Sequence, residues 1–185
     1  SNFQLEDFEL SQAHTFFWDK YEKSNWFLEQ IIATADQELT SRKVAFLLQT
    51  PQQDGGQWDM VVSLFEKYGV VPKSVYPESI SSSNSRELNT YLNKLLRQDA
   101  QILRDLLASG ADQATVQSKK EELLQEIFNF LAMSLACLLV HLVSLTAIRT
   151  TTTIQKLDYA SKLLQKICGS YSWRTTFLLS SAYGR

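Results

Sequence analysis

The chain has 185 residues, 44% of them hydrophobic, and its 18 Lys+Arg against 20 Asp+Glu leave a formal net charge of −2. That composition supports one core of ordinary size and excludes disorder throughout, and it lacks the clustered cation excess that nucleic acid or an acidic membrane surface would need. The charge is unevenly placed: residues 1–135 hold 12 basic and 19 acidic groups, whereas residues 136–185 hold 6 and 1, so the two parts do not share one composition.

The first residues, Ser1 to Gln12, mix acidic and aromatic side chains with no basic stretch leading into an apolar one, so no signal peptide is expected. Position 1 is not Met, which reads as an excised or incomplete chain. From Leu10 to Ile32, apolar residues including Ala13, Phe16, Phe17, Tyr21, Phe27, Leu28 and Ile31 recur at three- and four-residue spacing, predicting a long helix that buries one face. Thr34 to Ser41 is a polar connection, and a short helix or turn around Val44–Leu48 should end at Pro51. Asp54-Gly55-Gly56-Gln57 then places a capping acid three residues ahead of Gln57. A helical stripe of Met60, Val61, Leu64, Phe65 and Tyr68 follows, closed by Gly69.

Val70 to Pro77 contains two prolines and should be extended and irregular. Ser79 to Ser85 is expected to be a polar loop. Asn84-x-x-Glu87 resembles a capping box ahead of a second long helix carrying Leu88, Leu92, Leu95, Leu96, Leu103, Leu106 and Leu107 and ending near Gly110. A third should start near Ala111–Thr115 and run through Leu123, Leu124, Ile127, Phe128 and Leu131, giving a mainly α region of paired antiparallel helices. Ile127 to Ile148 then lacks Asp, Glu, Lys and Arg for 22 residues, long enough to span a bilayer, although Asn129, Ser134, His141, Ser144 and Thr146 interrupt it. An alternative reading therefore makes the chain a membrane-anchored helical interaction protein with a span near 127–148. Thr150 to Thr153 is a low-complexity run, and the tail beyond it has one acidic residue, Asp158.

Few residues form a constellation that carries chemistry. Cys137 and Cys168 are too few for a disulfide framework and lack metal-ligand spacing, so the chain reads as reduced and cytoplasmic, with no metal and no cofactor. Cys137 and His141 are one helical turn apart, but Ala-Cys-Leu-Leu-Val-His-Leu is apolar and would raise a thiol pKa, so Cys137 reads as an ordinary core cysteine. His14 stands alone on its helix as a surface or half-buried structural histidine, and Glu6/Asp7 and Glu121/Glu122 as solvated faces. Asp54-Gly55-Gly56-Gln57-Trp58 differs. Two glycines let another backbone approach closely and can adopt positive φ, so this turn can hold a peptide or an anion, or be a plain capped turn.

Several blocks recur together in an unusual order and spacing. They are Glu9-Leu10-Ser11-Gln12, Asp19-Lys20-Tyr21-Glu22-Lys23-Ser24-Asn25, Pro51-Gln52-Gln53-Asp54-Gly55-Gly56-Gln57-Trp58-Asp59-Met60, Tyr68-Gly69-Val70-Val71-Pro72-Lys73 and Tyr76-Pro77-Glu78-Ser79. From about Phe3 to Leu135 the chain resembles the bleomycin hydrolase and aminopeptidase C family of papain-like cysteine peptidases. The resemblance implies part of the helical half of a papain-like α+β fold, and a cytoplasmic thiol aminopeptidase that assembles as a homo-hexamer and acts on peptides. It also implies that the segment matching Asp54, Gly55, Gly56 and Gln57 lines the substrate cleft, with the two glycines pairing with the bound peptide. The family's nucleophilic Cys falls in a segment before Leu10, and its His and Asn in the carboxy-terminal half. No catalytic residue is therefore expected here, and neither cysteine inherits that role.

After Leu135 the resemblance stops, where relatives continue with Gly-Leu-Pro-Pro and later Lys-Asp-Asn-Asn-Tyr. The codons AAG GAC AAC AAC TAC read one base later give Arg followed by threonines, as in Arg149-Thr150-Thr151-Thr152-Thr153. Trp173-Arg174-Thr175-Thr176 can likewise be encoded so that a neighbouring frame reads Glu-Asp-Tyr, also a family feature. Residues 136–185 are thus expected to be a frameshifted tail, with 1–135 a partial peptidase domain.

Overall fold

The computed structural model describes residues 9–135, all within the first of two units, Ser1–His141. The tail, Cys137, Cys168, His141, Glu6, Asp7 and most of the 127–148 run lie outside the described residues. Among the described residues six helices follow in order: α1 (Gln12–Ala33), α2 (Arg42–Gln49), α3 (Trp58–Tyr68), α4 (Ile80–Ser83), α5 (Arg86–Ala108) and α6 (Gln113–Leu135).

Ser11 starts α1, its Oγ accepting the His14 N–H at 3.0 Å and donating to the Tyr76 carbonyl at 2.6 Å. Helix formation is thereby coupled to the Val70–Pro77 segment, which is irregular as expected but extended only as far as Pro72, after which it turns, the Val75 and Tyr76 N–H groups donating to the Pro72 carbonyl. Leu10 and Pro72 form an isolated antiparallel bridge, flanked by Ser11 N–H to the Val71 carbonyl and Lys73 N–H to the Glu9 carbonyl. The bridge accommodates Pro72 because its neighbours supply the donors that proline lacks.

Helices α1, α5 and α6 make the core. The α1 face of Ala13, Phe17, Trp18, Phe27, Leu28 and Ile31 is buried, as are Leu92, Leu96 and Leu103 of α5 and Val116, Leu123, Ile127, Phe128 and Leu131 of α6. Phe17 meets Phe128 edge to face at 5.3 Å, while farther along Glu29 pairs with Lys120, so α1 and α6 run antiparallel. Tyr91 near the start of α5 contacts Phe130 near the end of α6, giving that pair the same sense. Gly110, at φ 81°, turns the chain between them. From α5, Arg104 bonds the carbonyls of Thr34 and Gln37 and closes the end of α1.

Four expectations about helix ends and faces need correction. Asp54 does not cap α3, which begins at Trp58 after Gln57; its carboxylate is engaged elsewhere. Ser79–Ser85 contains the single turn α4, held by reciprocal bonds between Ser79 and Ser82 (Ser82 N–H to Ser79 Oγ, 3.1 Å; Ser79 N–H to Ser82 Oγ, 2.8 Å). Asn84 does not cap the start of α5, which begins at Arg86 after Ser85, a residue without a capping bond whose hydroxyl turns to Asp54; Asn84 instead closes α4, its N–H donating to the Ile80 carbonyl at 2.9 Å. The α3 stripe is largely uncovered: Leu64 is buried, whereas Met60 and Phe65 are exposed. Gly69 does close α3, at φ 71°.

The apolar run has a core explanation for its described part. Ile127, Phe128, Leu131, Ala132 and Leu135 are buried against the other helices, and no described helix is long and apolar enough to cross a membrane. The membrane-anchored alternative is therefore unsupported.

Candidate functional site

A strip of chain from Gln53 to Met60 is exposed, running from the connection after α2 into the first turn of α3. Immediately upstream, Pro51 and Gln52 are buried and strapped to two helices at once. The Gln52 side-chain amide donates to the Lys20 carbonyl and to Ser24 Oγ (2.7 Å) on α1, while the Gln52 N–H donates to Asn93 Oδ1 (2.9 Å) on α5. Arg97 of α5 adds bonds to the carbonyls of Leu48 and Gln49, both 2.8 Å. The backbone leaving α2 is thus fixed before the strip begins.

Asp54 is the electrostatic centre. Its carboxylate takes Lys20 Nζ at 2.6 Å, Ser85 Oγ at 2.7 Å and Asn89 Nδ2 at 2.8 Å. Partial burial alone would raise its pKa, but the bonds from Lys20, Ser85 and Asn89 outweigh that and hold the carboxyl down at about 2. Lys20 is fully buried; burial lowers its pKa, opposed by the bond to Asp54. Its ammonium also lies 5.1 Å from the Phe16 ring centre and donates to the Gln53 carbonyl at 3.3 Å. One turn on, Lys23 pairs with Asp19 at 2.6 Å and donates to the carbonyls of Gln53 (3.1 Å) and Gly55 (2.8 Å).

Removing the Asp54 carboxylate strands a buried ammonium. Asp54→Ala is expected to cost roughly 1–3 kcal/mol in urea unfolding at pH 7, less than a fully buried pair because about half of Asp54 faces water. The folded pKa lies below the unfolded value of 3.8, so this contribution is present above about pH 4 and disappears as the pH falls towards 2. Equal midpoints for wild type and variant at pH 7 would contradict it.

Gly55 and Gly56 follow, both exposed, and neither has the positive φ that the sequence allowed for. A Cβ built on Gly55 meets nothing within 4 Å, and one on Gly56 meets only Met60 Sδ at 3.8 Å. Folding of the described residues therefore requires glycine at neither position. A groove of about 610 Å³ opens beside them, lined by Phe16, Asp54, Gly56, Gln57, Trp58 and Phe65 among others. A second, of about 630 Å³, lies against Gln53 and is bounded by Trp26, Phe46, Pro51 and Lys67. Trp58, 76% exposed, forms the edge of the first.

The four residues singled out in the sequence, Asp54, Gly55, Gly56 and Gln57, are thus contiguous on one exposed strip. Asp54, however, is a structural anchor for that strip. The sequence reading missed Lys20, Lys23, Gln52 and Asn93. Lys20 and Ser24 did leave a signal, since they fall at helical spacing within the inward stripe of Phe17, Phe27 and Ile31.

His14 is buried, a correction to its surface or half-buried assignment. Trp18 Nε1 donates to its Nε2 at 3.1 Å, and the Tyr76 ring lies 5.8 Å away, edge on. Burial pushes its pKa down to about 4, so at neutral pH it is a neutral packing group. Among the described residues no group of three His, Cys, Asp or Glu side chains is placed to hold a metal ion.

The sequence profile of the Peptidase C1-like family matches residues 1–137. Aminopeptidase C of Streptococcus thermophilus is 88% identical over 135 residues, 73% of this chain and 30% of that protein. Bleomycin hydrolase of Oryctolagus cuniculus is 41% identical over 133 residues, 71% of this chain and 48% of its relative. The crystal structure of PepW from Lactobacillus rhamnosis superposes with a TM-score of 0.70 at 60% identity, covering 72% of this chain and 30% of that one. The chain spans about a third to a half of the length of these relatives. With a profile match over most of its length and the same helical arrangement in a solved relative, the chain belongs to the Peptidase C1-like family of papain-like cysteine peptidases.

Proposed function

We propose that this chain is a piece of a cysteine-type aminopeptidase, supplying one wall of the peptide-binding cleft, and that alone it cleaves no peptide. The observation that carries this reading is the pair Gly55 and Gly56. The fold leaves room for side chains there and the backbone does not demand glycine, so the bare backbone serves something that approaches from outside. A peptide pairing with an exposed strip through main-chain bonds is the fitting occupant. Gln57 shapes its edge and Asp54 holds it down.

The reaction of the complete enzyme is thiolate attack on the peptide carbonyl, release of the leaving amine, and hydrolysis of the acyl-enzyme with a histidine as acid and base. No described residue can do this, since His14 is locked against Trp18 and the described residues include no cysteine. The complete enzyme is a cytoplasmic homo-hexamer on this reading. Residues 136–185 are a tail from a shifted frame, a boundary supported by the end of the family match at residue 137; sequencing the gene in independent isolates tests it.

Replacing the matching segment of the Streptococcus thermophilus enzyme with residues 1–135 of this chain tests the cleft assignment. The chimera is expected to cleave aminoacyl and peptide substrates in a reaction stopped by a thiol alkylator, and to be hexameric by light scattering. The isolated chain is expected to be inert. Gly56→Val in the chimera should lower kcat/KM on peptides by roughly 10- to 100-fold, the loss of one or two hydrogen bonds, with an unchanged melting temperature. Unchanged kinetics in Gly56→Val would remove the strip from the cleft, and alkylator-sensitive cleavage by the isolated chain would overturn its inactivity.

A further inference from the structure

We propose that Lys23 is a positioning residue that sets the direction of the Gly56 N–H, turning the strip into a fixed hydrogen-bond donor for a carbonyl of the bound peptide. The inference rests on the cleft reading above and adds to it the residue of α1 that organises the strip.

The geometry follows from one peptide plane. The Gly55 carbonyl is drawn towards α1 by Lys23 Nζ at 2.8 Å. No peptide bond in the described residues is cis. In a planar trans peptide the carbonyl and the next N–H point in opposite directions, so the Gly56 N–H is directed away from Lys23 and outwards. Among the described residues it has no acceptor within the chain, and Gly56 lines the groove of about 610 Å³. An outward donor with no internal partner, on a residue without a side chain, suits an extended backbone carbonyl arriving from the groove.

Lys23 can set this plane because it is itself immobilised. Its side chain is 15% exposed and its ammonium is held by Asp19 at 2.6 Å, one helical turn back on α1. Its second bond, to the Gln53 carbonyl at 3.1 Å, fixes another inward carbonyl two residues earlier. Lys20 supports the same stretch from beneath through Asp54 and Gln53, so two ammoniums from one helix hold three consecutive residues. Glycine has the largest backbone freedom of any residue, and without this clamp the 55–56 plane would rotate, so a peptide would have to order it on binding.

Nuclear magnetic resonance on the chain itself tests the clamp without any catalysis. In the wild type the Gly56 amide should show a backbone order parameter near that of a rigid element, about 0.85. In Lys23→Met it should fall below about 0.6 while the amide shifts of α5, α6 and the turns of α1 away from position 23 stay constant. Lys23→Arg should restore it, since the longer side chain keeps both the charge and the donors. In the chimera, Lys23→Met should raise KM for peptide substrates by roughly tenfold with kcat within twofold, and Lys23→Arg should recover most of that. An ordered Gly56 in Lys23→Met overturns the proposal. So does an equal fall in kcat and kcat/KM, which would place Lys23 outside substrate binding. If instead the clamp behaves as described but Gly56→Val leaves the chimera's kinetics unchanged, the cleft reading fails while the clamp stands.

Discussion

Replacing Asp99 with Asn is expected to stabilise this chain by roughly 2–4 kcal/mol at pH 8 and to change little below pH 4. Asp99 lies on the inward face of α5, 2% exposed, and its Oδ2 has no hydrogen-bond partner among the described residues. Burial pushes the carboxyl up to about 7; Glu126 of α6 adds to the rise and Lys119 opposes it. Unfolded, the group ionises near its ordinary value of 3.8, so between about pH 4 and 7 the folded chain retains a proton that the unfolded chain has released. Stability is therefore full below about pH 4 and declines as the pH rises to about 7, above which the folded carboxylate is charged as well. Asn cannot ionise and removes that penalty. Urea unfolding of both forms from pH 4 to pH 8 is the measurement, and parallel profiles would show that Asp99 finds a counter-charge or water that the helices do not supply. The effect runs opposite in sign to that of Asp54, whose stabilisation appears above pH 4, so the two variants separate the contributions.

Phe128→Ala is expected to cost about 3–5 kcal/mol, a large part of the 5–15 kcal/mol that holds an ordinary domain together. Its ring is the meeting point of α1 and α6, with Phe17 at 5.3 Å, Tyr21 at 5.6 Å and Trp18 at 6.0 Å from ring centre to ring centre. Trp18 in turn stacks on Tyr68 at 3.8 Å, so the same cluster holds the end of α3. Met133→Ala, at a 67% exposed position of the same helix, should stay within about 0.5 kcal/mol. Tryptophan fluorescence during denaturant unfolding reads both, and similar midpoints for the two variants would mean that α6 does not depend on this cluster.

The helices other than the single turn α4 were legible in the sequence because each rests on a local pattern. Phe17, Phe27 and Ile31, or Leu92, Leu96 and Leu103, recur at the helical period, and Gly69 and Gly110 mark ends where φ turns positive. Capping was less legible. Asp54, Asn84 and Ser85 are all competent caps by residue type, yet Asp54 and Ser85 bond one another, because a carboxylate that meets a buried Lys20 gains more there than at a helix end. The α3 stripe misled for a related reason: periodicity shows that a face is apolar but does not identify what covers it. Trp58, Met60 and Phe65 are left facing a groove, in a chain that spans only part of its relatives' length.

The sequence by itself determined the order of the helices other than α4, the family resemblance and the contiguity of Asp54, Gly55, Gly56 and Gln57, since all of these are properties of neighbours along the chain. Only the tertiary structure decided that the fold itself does not require the two glycines there. It showed that their φ values do not require glycine and that their Cβ positions are open. It also brought Lys20 and Lys23 from more than 30 residues away to clamp the adjoining carbonyls. Such contacts depend on the direction in which a buried ammonium points once α1 has packed, and that direction follows from the packing of whole helices.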